Sequence, residues 1–498
     1  MNVNPITRLD YPDPDVIRVE DTYYMVSTTM HFMPGCEILQ SFDLVHWEHV
    51  TYVYETLDHT DAQQLKSGQN IYGQGMWAAS LRYHEGRFYI CFVANDTRKT
   101  YLYTSEKIDG PWKKQLIEGF YHDGSLLFDE DGRNYIVYGN DEIWITELNE
   151  DLTAPKKGGL HRLLVSDHKN PELGYEGSHI QKINGYYYIF LIHSLRDRWM
   201  RTEACFYSDS LEGEFTGGDV LCDDRGYCGQ GVAQGGIVDT PDGKWYAMLF
   251  QDSGAVGRIP ILLPVTWKDH FPVFGQNGHV PEEIEVHSTR PGYIYQPLVG
   301  SDDFCNGLLP RWQFNHDPDP RYYHLDALQG TYTITTREVC TELTQAVNTL
   351  TQRMSYPSCA AEVTVDASAL KEGDVAGLCA LQSCYAAVGI TKHHGKYEVL
   401  MLDKKEDGIL DMTERTVVES HQMDFRLEAD FCNMKDEARC YYRVNKGDWL
   451  PIGTVHKLYF KLDHFTGCRF GLFCYAAEET GGSACFRDFK YYDVDEIS

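Results

Sequence analysis

The chain has 498 residues, 43% hydrophobic and 13% aromatic, which excludes a disordered polymer and gives room for two or three domains with large cores. A formal net charge of −30 excludes nucleic acid and anionic membrane as partners, since either would need clustered Lys and Arg, and leaves a neutral substrate as the better fit. Fifteen cysteines without a C-x-x-C pair, and a start at Met1–Pro5 with no basic or apolar leader and no later membrane span, lead us to expect reduced thiols and a cytoplasmic protein.

In chain order, the first element is Asp13-Pro14-Asp15 leading into an apolar strand, a turn at Glu20-Asp21, and Tyr23–Val26. The same unit returns from Ala78 with a turn at Glu85-Gly86, and from Asp123 with a turn at Asp131-Gly132. It returns again from Glu176 with a turn at Asn184-Gly185, and from Gln234 with a turn at Asp242-Gly243. Each copy reads as a β-hairpin. The spacings of 65, 45, 53 and 58 residues each suit about four strands, the size of a propeller blade with its loops. In this register, residues 13, 78, 123, 176 and 234 hold one equivalent position at the axis, which would gather Asp13, Asp123 and Glu176 into one funnel. Segments such as Ser41–Trp47 and Ser105–Trp112 close the blades as turns and apolar plugs.

The propeller pattern ends near Phe274-Gly275, and Gly278–Gly300 reads as a surface linker rich in Pro, Glu and Gly. From Asp302 onward, about a dozen short alternating strands with no helical stripe predict a β-sandwich. The expected class is all-β: a five-bladed β-propeller over residues 1–298, then a concanavalin-like β-sandwich over 299–498.

With the acids and hairpins aligned, the chain resembles glycoside hydrolase family 43, in its β-xylosidase and α-L-arabinofuranosidase branch. The resemblance rests on Tyr11–Pro14, Met33–Gly35, Ser41–Trp47, Gly75–Ala78, Asp123–Leu126, Glu176–His179, Gly257–Pro260 and, in the sandwich, Asn348–Arg353. It implies that Asp13 is the general base, Glu176 the general acid, and Asp123 the residue that orients the acid and keeps it protonated. It further implies that Met30, Trp77 and Arg258 contact the sugar. His31, beside Met30, is left unassigned. Relatives often hold a calcium ion on the propeller axis with a histidine, where this chain has Gln234, so a structural calcium is left open and no cofactor is expected to be required.

The expected function is therefore an inverting exo-glycosidase that releases α-L-arabinofuranose or β-D-xylose from small oligosaccharides or aryl glycosides, with the Met30–His31 pair favouring the arabinofuranoside. A homo-oligomer is left open. Two rivals stand beside it: an endo-arabinanase or other propeller glycosidase, and a carbohydrate-binding propeller without catalysis. Three acids crowded at one position speak against the last, because a neutral sugar gains little from them.

Overall fold

The computed structural model describes residues 2–493. Five four-stranded antiparallel sheets follow one another as blades. Their inner strands are Asp15–Val19, Met76–His84, Ser125–Phe128, Glu176–Ile183 and Val232–Asp239, and each packs beside the next around a closed ring. Side chains on these strands stitch the ring. Asp15 Oδ2 accepts from Leu81 N at 2.7 Å, Ser80 Oγ from Leu126 N at 3.1 Å, and Ser125 Oγ from Ile180 N at 3.0 Å. In the fourth blade, Asn184 and Gly185 both have positive φ, 52° and 86°, as the two-residue turn joining twisted strands demands.

The gap between the last and first blades is sealed by the N-terminal segment. Ile6 N and Tyr11 N donate to Pro260 O and Arg258 O, at 3.3 and 3.1 Å. The buried Asn4 side chain both donates to Leu262 O and accepts from Leu262 N, at 2.7 and 3.0 Å.

The C-terminal half forms two sheets, of eight and seven strands, packed over a large apolar core. The eight-stranded sheet takes its last strand from the propeller: Phe32–Met33 pairs with Phe314 and Asn315. The sandwich core also includes Ala255, Val256 and Ile259 of the last blade. The Asn348–Arg353 stretch has a clear physical task here. Fully buried Arg353 donates to Asp10 O at 2.9 Å, pairs with Glu37 Oε2 at 2.8 Å, and lies 4.0 Å from the centre of the Tyr11 ring. Residues 278–300 are a strap that runs from the last blade, where the Tyr246 hydroxyl donates to Glu285 O at 2.9 Å, to the first, where Phe42 N donates to the Tyr295 hydroxyl at 2.9 Å and Thr289 N donates to Phe42 O at 2.8 Å.

Candidate active site

The starts of the inner strands converge on a cavity of about 620 Å³, within the usual range for small-molecule sites. Asp13, Asp123 and Glu176 all line it. Asp13 and Asp123 sit at positive φ, 52° and 48°, two residues before the strands Asp15–Val19 and Ser125–Phe128. Asp13 is buried, accepting from Thr28 Oγ1 at 2.6 Å and from Arg258 Nη1 at 2.9 Å. Asp123 Oδ2 accepts from Gly177 N at 3.0 Å.

The structure corrects the register of Glu176. Gly177, with φ of 65°, is the residue that matches Asp13, Asp123 and Gln234, and Glu176 stands one position earlier, level with Trp77. Both inner strands carry a bulge directly after this level, between Glu176 and His179 and between Trp77 and Ser80. Glycine at 177 leaves room for the neighbouring blade. A Cβ there would stand 2.7 Å from the Gln234 side chain on a backbone that L residues rarely adopt. The acid therefore projects from a layer different from that of the two aspartates, sharing it with an aromatic wall.

Trp77 and Arg258 also line the cavity. Their polar atoms are poised for a ligand: Trp77 Nε1, Arg258 Nε and Nη2, and Asp252 Oδ1 are buried without hydrogen-bond partners. Such atoms are rare in folded proteins, and clustered in one cavity they suit the hydroxyls of a polyol. Met30 is a correction. It does not line the cavity; it is 2% exposed, and its N–H and C=O bond to Met76 on the strand that carries Trp77, at 3.1 Å each. A positive φ of 53° at Met30 belongs to this tight approach, where Gly75 leaves no room for a Cβ against Met30 O. His31 is turned away as well, fully buried among Phe32, Tyr72, His316 and His464. Burial holds its imidazole well below the ordinary histidine range, with the neighbouring histidines adding to the effect.

The sandwich closes one side of the funnel, as the sequence led us to expect, but sequence reasoning named none of the residues that do so. Phe460, Lys461, Leu462 and Phe465 close one side, and Phe465 lies 5.3 Å from Trp77 and 4.5 Å from the Arg258 guanidinium. His122 and Asn140 were missed too. The His122 ring nitrogen Nε2 stands 3.6 Å from Asp123 Oδ2 and 3.5 Å from Glu176 Oε2, while Asn140 Nδ2 donates to Glu176 Oε2 at 2.7 Å. The Asp123 carboxylate, with Glu176 and Asp13 adding, holds the His122 imidazolium up to about 9 against the opposing effect of burial. Burial first, then Glu176 and Asp13, push the Asp123 carboxyl up to about 6, with His122 working the other way. The signal for His122 was its place beside Asp123. No local pattern pointed to Phe465.

Further along the inner strands, one side chain ties three blades together. Arg82 donates to Leu126 O at 2.8 Å, to Asp15 Oδ2 at 2.7 Å, to Leu81 O at 2.6 Å and to Ser125 Oγ at 2.6 Å. Asp15 also lies 3.2 Å from His179 Nδ1, so its carboxylate is already matched by two basic groups. Around Asp15 these residues do not fit a calcium ion, whose charge would meet a guanidinium. A second, more open cavity of about 370 Å³ lies at the far ends of the inner strands and contains none of the three acids.

Residues 3–272 match the family model described as Glycosyl hydrolases family 43, and residues 301–492 match the Beta xylosidase C-terminal Concanavalin A-like domain. The chain is similar to a beta-xylosidase of Formosa agariphila, at 27% identity over 99% of this chain and 89% of that protein. It is similar to a non-reducing end alpha-L-arabinofuranosidase of Bacteroides ovatus, at 24% identity over 82% of this chain and 79% of that protein. Among solved structures, it resembles a bifunctional GH43-CE protein of Bacteroides eggerthii, with a TM-score of 0.93 and 42% identity over all of this chain. The chain spans 64% of that bifunctional protein's length. It also resembles an engineered GH43 enzyme displaying endo-xylanase and exo-arabinofuranosidase activity, with a TM-score of 0.87 and 27% identity over 99% of each chain.

Proposed function

We propose that this chain, which belongs to glycosyl hydrolases family 43, releases a terminal pentose, α-L-arabinofuranose or β-D-xylose, from small arabino- or xylo-oligosaccharides with inversion at the anomeric carbon. It is a glycoside hydrolase. The observation that carries the exo reading is the wall at Phe460–Phe465: a sandwich loop covers one side of a cavity that holds all three acids, leaving a pocket where an endo enzyme needs an open groove.

In this reading Asp13 takes a proton from water as the water oxygen bonds to the anomeric carbon. Glu176 gives its proton to the departing glycosidic oxygen as the old C–O bond breaks. Arg258 pairs with Asp13 on the base side and leaves two further nitrogens for sugar hydroxyls, as Trp77 leaves its indole N–H. The faces of Trp77 and Phe465 suit the apolar side of the ring.

With Met30 and His31 turned away from the cavity, the preference for arabinofuranoside built on them loses its support, and both pentoses remain in the proposal. Purified protein offered p-nitrophenyl α-L-arabinofuranoside, β-D-xyloside and β-D-galactoside decides. Turnover of one or both pentosides is expected, and turnover of the galactoside alone would refute the pentose assignment.

We also propose that Arg82, and not calcium, holds the axis. Incubation with EDTA is then expected to leave both the melting temperature and the rate unchanged. A fall in melting temperature that calcium reverses would place an ion on the axis.

A further inference from the structure

The two oxygens of Glu176 face different surroundings. Oε2 accepts a hydrogen bond from Asn140 Nδ2 at 2.7 Å and has His122 Nε2 at 3.5 Å, whereas Oε1 has no protein partner among the described residues. His122 Nε2 is itself buried without a hydrogen-bond partner, so its interaction with the two carboxyls is one of charge at close range. A carboxylic acid whose Oε2 accepts from an amide N–H carries its proton on the other oxygen. When that proton leaves, a carboxylate forms beside Asp123 and within the field of Asp13, and such a charge is costly in a partly dry site unless a cation offsets it.

We propose that His122 and Asn140 are positioning residues for Glu176: Asn140 confines the acid's proton to Oε1, the oxygen left free toward the substrate, and the His122 imidazolium compensates the carboxylate that forms when the proton is transferred. This rests on the reading of Glu176 as general acid. The other charged groups facing the trio are Asp13 with its partner Arg258, the Arg201–Asp252 pair across the cavity, and Glu172 and Lys461 among its other lining residues. Asp123 and His122 act in opposite senses. Asp123 places a like charge, and His122 an opposite one, beside the carboxylate that forms on Glu176.

The test is the pH profile of kcat/KM for H122Q and N140D, each measured on a substrate with an alkyl leaving group and on a p-nitrophenyl glycoside. Removing the cation, or replacing the amide donor by a carboxylate, leaves the acid harder to ionise. The alkaline limb is therefore expected to move to higher pH, with a loss of roughly tenfold on the alkyl glycoside and a smaller loss on the aryl one. D123N is expected to move the same limb the other way. An alkaline limb that stays in place or falls in both H122Q and N140D, or equal losses on the two substrates, would overturn the proposal.

E176Q measured in parallel separates the two levels. If its loss does not depend on the leaving group, the acid assignment itself falls; if it does, while H122Q and N140D leave the limb unmoved, only the positioning role falls. Should H122Q fail to fold, nitrogen NMR of the histidines in the unaltered protein tests the charge of the ring directly. A His122 ring still doubly protonated at pH 8 is expected, and a neutral ring at that pH would overturn its role.

Discussion

Glu176→Ala is expected to lose activity on natural oligosaccharides by on the order of 10³-fold while keeping much of its rate on p-nitrophenyl glycosides. The difference comes from the leaving group. A sugar alkoxide departs only with a proton, whereas p-nitrophenolate is stable without one. Asp13→Ala is expected to fall by a similar factor on both substrates, because unactivated water attacks slowly whatever leaves. Sodium azide should restore part of the Asp13→Ala rate by entering the emptied base side. Melting curves for both variants guard against misfolding, and they matter most for Asp13, whose carboxylate is the partner of buried Arg258. A leaving-group effect in Asp13→Ala and none in Glu176→Ala would exchange the two roles.

Removing the chain after residue 298 is expected to leave no soluble, active propeller. The cut strips the partner strand from Phe32–Met33 and the apolar cover from Ala255, Val256 and Ile259. It also strips Arg353 from Glu37, leaving that carboxylate only His49 as a partner. The apolar face so exposed favours aggregation of the isolated propeller. The same cut removes Phe460 and Phe465 from the cavity. Expression of residues 1–298, with solubility and turnover of an aryl pentoside as readouts, checks this. A soluble fragment with full activity would show that the sandwich neither supports the propeller nor shapes its pocket.

The five hairpins were readable because each carries a short polar turn between alternating strands, and Asn184-Gly185 needs two positive φ angles that few other pairs adopt readily. The level of Glu176 was not readable. Glu176-Gly177-Ser178 copies the look of Asp123-Gly124-Ser125, and only the hydrogen bonds between neighbouring strands reveal that Ser125 corresponds to His179. A one-residue bulge leaves no mark in a pattern of small residues. Met30 was misplaced for a related reason: its backbone turns through positive φ to meet Met76, and nothing in Thr29-Met30-His31 announces that turn. Phe465 comes from a loop nearly 390 residues beyond Trp77 in sequence, so only tertiary packing brings the rings together.

Proton NMR of the first sugar released, recorded before mutarotation, is the most direct measurement of the chemistry assigned to Asp13, Asp123 and Glu176. With β-xyloside as substrate, the α-anomer of xylose is expected to appear first, and with α-L-arabinofuranoside the β-anomer; the equilibrium mixture follows only later. First release of the anomer that matches the substrate would mean a covalent glycosyl-enzyme intermediate and would contradict the role of Asp13 as the base that activates water.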